Sequence, residues 1–359
     1  MDYALFAVGL AITLIVLFDA FETVVLPRTV QRRFRLTRLI VRVTWAPLVL
    51  FTRLPIGSAT RDWLIAIFGP LLLIFLLATW ASGLILGFGV MTHALAQSSP
   101  DALPWGESWY LSGSVFFTLG LGDVTPVNSA TKTLAVIEAG VGFGFLALVI
   151  GYLPIFYQAF SRREVAISLL DARAGSPPTA AEFLRRNGDS VAGPLLMQWE
   201  QWTAELLESH LSYPVVAYFR SQHEKQSWLA ALVLILDVSA LLMVGLEGVE
   251  RRQAQFSFAM ARHTLVDLAQ VFYVEPGAPD GHRLDHEGFI ALQASLVTNG
   301  FVFEEPHAAE AALAELRKTY EPLAYRLGQR LLMPLPPWLP NGDSQDDWQS
   351  SPWDTLPPI

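Results

Sequence analysis

The chain contains no cysteine in its 359 residues. Disulfides and thiolate metal sites are therefore excluded, and nothing speaks of an oxidising compartment. Charge is scarce too: Asp, Glu, Lys and Arg make up 16% of the residues against 52% hydrophobic ones, and the mean hydropathy is +0.39. Soluble domains carry about 25% charged residues, so this composition is that of a membrane protein. No G-x-G-x-x-G follows a strand-like run, which argues against a nucleotide-binding domain. Alternating strands for a cyclic-nucleotide jelly roll are missing, as is the internal repeat of broken helices that a transporter would need. A net charge of −9 offers no basic surface for nucleic acid. No arrangement of side chains suggests reaction chemistry, so an enzyme is not expected.

Long apolar runs are abundant by contrast. Tyr3 to Leu26, Trp63 to Met91 and Leu134 to Phe160 are each long enough to cross about 30 Å of hydrocarbon as a helix. Asp2 and the lack of a small-residue cleavage site argue against a cleaved signal peptide. Arg28, Arg32, Arg33, Arg35, Arg38, Arg42, Arg53 and Arg61 lie between the first two runs, and Arg162 and Arg163 follow the third. The positive-inside bias places both of these arginine-bearing stretches in the cytoplasm, so that the first run crosses from outside to inside and Thr92 to Ala130 lie outside. The further apolar piece Leu36 to Leu54, broken by Arg38, Arg42, Pro47 and Arg53, reads as an interfacial helix. Its basic residues, Arg28 to Arg42, would then meet anionic headgroups. Arg32, Arg35 and Arg38 at every third position leave a voltage sensor as the alternative, but a sensor needs acidic partners, and Asp19 and Glu22 are the candidates. Those two acids are expected to pair with Arg28 or Arg32.

Between the second and third runs, residues 118 to 123 spell T-L-G-L-G-D. A filter that strips water from a cation needs extended chain with successive carbonyls on one side. Glycine takes up the required positive-φ conformations cheaply, and Gly120 and Gly122 alternate with side-chain-bearing residues. The hexad resembles the T-V-G-Y-G-D signature of the tetrameric potassium-channel family, and the likeness continues through Pro126 and Val127 into the next helix. Leu119 stands where valine is commonest. Leu121 stands where tyrosine is, as in some pore loops of two-pore-domain potassium channels, and so removes the phenol that braces the family's filter. The resemblance implies a selectivity filter of Thr118, Leu119, Gly120, Leu121, Gly122 and Asp123, with potassium ions held at Thr118 to Leu121 and Asp123 at the outer mouth. It also implies a homotetramer, since one chain supplies one strand of a four-stranded ring.

Trp105 to Phe117 reads as a re-entrant pore helix, opened by Pro104, with its carbonyl end aimed at the cavity. Ser114 replaces an acid that some potassium channels keep behind the filter. Counted from the proline after the filter, Gly142 falls at the family's hinge glycine, though close helix packing explains it as well. Gly151, Pro154 and Phe156, with Ile150, Leu153, Ile155 and Tyr157, are candidates for a kink and a hydrophobic gate. Glu138 is the deepest ionisable residue of the third run and should face a polar neighbour. It either tunes conductance or fixes packing.

From Ser161 the composition shifts to 15 Lys and Arg against 25 Asp and Glu, a net of −10, with helical periodicity throughout. Trp228 to Leu246 is apolar enough for a fourth span, but Asp237 within it favours a buried core helix. His282, Asp285 and His286 are a weak candidate metal cluster. The expected fold is an all-α membrane protein: a first transmembrane helix (1–27), a basic connector (28–61), a two-helix pore domain (62–160) with its pore loop at 105–123, a cytoplasmic helical domain (161–333) and a disordered tail (334–359). The expected function is a potassium-selective or potassium-preferring channel of the bacterial inner membrane, multi-pass with its C-terminus cytoplasmic, and without cofactors other than the ions it passes. The alternatives are a non-selective monovalent cation channel and a membrane-anchored sensor with a vestigial pore.

Overall fold

The computed structural model describes residues 2–24, 36–55, 57–223, 225–244, 246, 251–278, 282–303 and 305–340. It divides after Gln158 into two compact units, and among the described residues the architecture is wholly helical apart from one isolated bridge, Leu246 to Phe303.

The first unit contains α1 (Tyr3–Val24), α2 (Leu36–Thr52), α3 (Ser58–Ala96), α4 (Trp105–Phe116) and the larger part of α5 (Ser129–Ala174). Three of these, α1, α3 and α5, are long and apolar enough to cross a membrane. Asp2 opens α1 by accepting from the amides of Ala4 and Leu5, both at 3.1 Å. α1 then lies against α3 at very short range. A Cβ on Gly87 would come within 2.4 Å of Thr13 Oγ1, and one on Gly9 within 2.6 Å of the Gly87 carbonyl. Small residues let apolar helices approach in this way where hydrophobic burial gives no drive.

Asp19 joins the first three helices. Its carboxylate accepts from Trp80 Nε1 on α3 at 2.9 Å and from the hydroxyl and amide of Thr37 on α2, at 2.7 and 3.2 Å. It was expected to meet Arg28 or Arg32, which lie outside the described residues along with Arg33 and Arg35. Further along α2, Trp45 is buried with its ring edge-on to Phe68 of α3, 4.7 Å between centroids. α2 is thus linked to Trp80 of α3 through Asp19 of α1 and, further along, packs directly on Phe68 of α3.

The second unit is a helical bundle: the end of α5, α6 (Ala180–Ser212), a 3-10 turn (Pro214–Tyr218), α7 (Trp228–Val244), α8 (Arg251–Val271), α9 (His286–Thr298), α10 (Pro306–Lys318) and α11 (Glu321–Leu331). α6 changes direction at Gly188, whose φ of 68° is left-handed. α7 is apolar on every side and buried from Trp228 to Leu242. Its 17 residues span about 25 Å, and α6, α8, α10 and α11 surround it. Within the helical periodicity of this half, α7 stops before α8 and α10 stops before α11, and Pro214–Tyr218 form one 3-10 turn.

Asp237 sits in the middle of α7, fully buried. Arg283 donates to its two oxygens at 2.5 and 3.2 Å, and the Tyr320 hydroxyl donates at 2.6 Å. Arg283 also reaches the Pro336 carbonyl at 2.6 Å, and both it and Arg317 lie over the ring of Trp338, at 5.7 and 5.6 Å. Within 334–340, expected to begin a disordered tail, Pro336 and Trp338 are therefore packed: two guanidinium groups, that of Arg317 buried and that of Arg283 partly so, give the Trp338 ring a cationic seat. The rest of that tail, 341–359, lies outside the described residues.

His210 on α6 is fully buried beside Trp228, with Nδ1 donating to the Leu206 carbonyl at 2.9 Å. Burial, reinforced by the nearby Arg163 guanidinium, pushes its pKa down to about 3. The folded unit therefore holds it neutral while the unfolded chain titrates near 6.5, so stability present above that value is lost as the pH falls. The expected cost is about 1.4 kcal/mol per pH unit below 6.5. Thermal melts of the wild type and His210→Gln at pH 7 and pH 5 check this, since the variant should lose the acid-sensitive increment.

Candidate pore and filter

α4 reads as a pore helix from its ends inward. Pro104 precedes it in extended conformation, where the missing amide costs nothing. At its other end the chain folds back at once. The amides of Phe117, Thr118 and Leu119 donate to the carbonyls of Gly113, Val115 and Ser114 at 3.0, 3.0 and 2.8 Å. Three of the last carbonyls of the helix are thus satisfied, and the hexad springs directly from the helix C-terminus, where the dipole favours a cation.

Within the hexad every second residue is left-handed: φ is 55° at Thr118, 60° at Gly120 and 80° at Gly122. Leu119 and Leu121 between them have ordinary negative φ, their side chains 60% and 65% exposed on the single chain. A backbone alternating in hand turns successive carbonyls to one side. The glycines are needed for this handedness and not for room, because a Cβ at either would meet nothing within 4 Å. Asp123 follows, and the Tyr110 hydroxyl of α4 donates to its carboxylate at 2.8 Å. Sequence reading places Tyr110 in an aromatic packing cuff on the pore helix, and nothing in its spacing marks Asp123, 13 residues on, as its partner.

After the hexad, Val124 and Val127 pack, together with Val115 of α4, against the buried cluster of Ala96, Leu103 and Leu111. Asn128 then caps α5 through Thr131 and donates to the Leu95 carbonyl of α3 at 3.0 Å. α3 and α5 flank the loop that they carry.

Gly142 lies against the end of the pore helix. A Cβ there would stand 2.1 Å from the carbonyl oxygen of Phe116 and 2.9 Å from its carbon. The position expected for a hinge therefore serves a backbone contact in this structure, and α5 stays helical through Gly142, Gly151 and Pro154. Gly142→Ala must move backbone rather than a flexible side chain, and overpacking of this sort costs about 1–3 kcal/mol per subunit. The expected result is a protein that reaches the membrane but carries at most about a tenth of the wild-type flux, read in liposomes at equal protein loading.

Of the residues proposed for a gate, Phe156 is buried next to Tyr152, 6.0 Å between ring centroids. Ile150, Leu153, Ile155 and Tyr157 present open faces instead. Glu138, 1% exposed, is brought to Ser112 of α4. Ser114, in the place of the acid of some potassium channels, is buried. His282, Asp285 and His286 form no metal cluster among the described residues; His286 pairs instead with Glu310 at 2.9 Å.

A helix, re-entrant loop and second helix around such a strand define the pore module of an ion channel. Residues 71–159, about a quarter of the chain, match a family model described as "Ion channel". The match takes in the last two thirds of α3, the pore helix, the hexad and α5 as far as Ala159. The chain is also similar to an uncharacterized membrane protein of Bacillus subtilis (strain 168), YdjJ, with 25% identity over 240 residues, 62% of this chain and 70% of the relative. No solved structure matches it. The protein is thus a multi-pass membrane protein with an ion-channel module and a separate helical unit.

Proposed function

We propose that four copies of this chain form a channel that conducts potassium in preference to sodium, with the carbonyls of Thr118, Leu119, Gly120 and Leu121 taking the place of the ion's hydration shell. The observation that carries this reading is the alternation of left-handed residues at 118, 120 and 122, placed directly at a helix C-terminus. A cation loses its water only where a ring of dipoles replaces it, and four such strands around one axis make that ring. The large apolar side chains left exposed along α5 on the single chain, among them Phe143, Leu146 and Ile150, suit contact with neighbouring copies and a hydrophobic inner vestibule.

The arginine bias puts the second unit in the cytoplasm of a bacterial-type plasma membrane, with the acidic end of the hexad outside. Gly151, Pro154 and the apolar residues about them form the gate, and anionic headgroups meet the basic stretch Arg28 to Arg42.

Leu121 favours a second reading, a pore that passes sodium and potassium alike, because a leucine cannot brace a neighbouring strand by hydrogen bonding. The purified protein should run as a tetramer in native mass measurements and release potassium from liposomes faster than sodium. Equal rates support the less selective pore. A monomer without flux supports a membrane-anchored sensor with a vestigial pore.

A further inference from the structure

Ser112 lies at the middle of α4, fully buried. Its Oγ is 2.8 Å from the carbonyl oxygen of Ile85 on α3, and it is hydrogen-bonded on its other side to Oε1 of Glu138 on α5. One hydroxyl thus stands between three helices. A serine hydroxyl has a single hydrogen to give, while a carbonyl and an ionised carboxylate are both acceptors only. Both contacts are satisfied together when Glu138 carries a proton: its O–H donates to Ser112 Oγ, and Ser112 donates to Ile85.

The surroundings favour the same state, since a bare carboxylate buried without a cation is strongly disfavoured. Lys132, on α5 with Glu138, is exposed. His93 of α3 is engaged with Ser108 and Gln97, and Tyr110 of α4 with Asp123. Glu107 of α4 is exposed, and Asp19 of α1 is bonded to Trp80 and Thr37.

We infer that Glu138 is a positioning residue: as a neutral hydrogen-bond donor it pins the pore helix to α5 and, through Ser112, to α3, and so holds the base from which the filter springs. The consequence for conduction rests on the channel reading above, whereas the hydrogen-bond chain stands without it. Charge at this site is not what the pore uses. The requirement is for a donor of the right length.

Two variants separate these roles. Glu138→Gln keeps a donor and cannot ionise, while Glu138→Ala removes the donor. The full-length protein is reconstituted in liposomes for potassium flux, and amide exchange of residues 105–116 is followed in the same preparation. Glu138→Gln is expected to stay within about threefold of the wild type in both readouts. Glu138→Ala should lose about tenfold or more in flux and exchange about tenfold faster along α4, because Ser112 is left with an unmet contact. Should Glu138→Ala not assemble, Ser112→Ala, which removes little volume, is expected to give the same pair of changes.

A Gln variant as impaired as the Ala variant would overturn the inference, since charge would then be required. So would an Ala variant with wild-type flux and protection. A wild type without flux would sink the channel reading, yet the exchange data on Gln and Ala would still decide whether Glu138 holds the pore helix.

Discussion

Gly122→Asp is expected to abolish ion flux while leaving the protein expressed and assembled. Gly122 has φ of 80°, and Gly120, whose aspartate variant should behave alike, has 60°. A non-glycine residue held there costs about 1–2 kcal/mol. In the proposed ring of four that cost is borne four times, about 4–8 kcal/mol per ring, which leaves conducting filters fewer by about a thousandfold or more. Four added carboxylates crowding one axis act in the same direction. Because nothing lies within 4 Å of a Cβ at these sites on the single chain, the packing of α3, α4 and α5 is spared. The loss should therefore appear in flux and not in yield. Potassium flux in liposomes and the native oligomer mass together read the result. Normal flux through the Asp variant would show that the hexad is not the path of the ion.

Arg283→Ala should be the most damaging single change in the second unit. It leaves Asp237 in the middle of a wholly buried helix with the Tyr320 hydroxyl but without its guanidinium, and it removes one of the two cations over Trp338. Breaking a buried pair on one side costs about 3–5 kcal/mol. For a unit of this size that corresponds to a fall of about 6–20 °C in melting temperature. The segment 334–340 should loosen in the same variant, since Arg283 holds the Pro336 carbonyl. Replacing both partners, Asp237→Leu with Arg283→Met, should recover much of the loss, because neither charge is then stranded. Circular dichroism melts of the detergent-solubilised protein measure it. A single variant melting within about 2 °C of the wild type would mean that water reaches Asp237 and that the network contributes little.

The parts of this molecule legible in sequence are those set by local chemistry. The hexad announced its left-handed positions through Gly120 and Gly122, and Pro104 announced the pore helix, whose end at Phe116 lies one residue short of the expected Phe117. The three long apolar helices followed from length and composition. The buried core helix α7 was legible because Asp237 and the charged flanks contradict a span.

Partnerships across the fold were not legible. Tyr110 bonding Asp123, Asp19 meeting Thr37 and Trp80, and Trp338 between Arg283 and Arg317 each join residues whose spacing follows no helical or strand period. Gly142 shows the limit most clearly. Its place in the sequence suggested a hinge or close packing, and the approach of the Phe116 carbonyl, which decides what an added methyl meets, exists only once α4 and α5 are side by side.

The central claim is that the strand from Thr118 to Asp123 is a working selective filter. It is tested most directly by the reversal potential of the purified protein in a planar bilayer with potassium on one side and sodium on the other. The account predicts a reversal displaced far toward the potassium equilibrium potential, and a loss of the current in Gly122→Asp. A reversal near zero, with current unchanged in that variant, would contradict it.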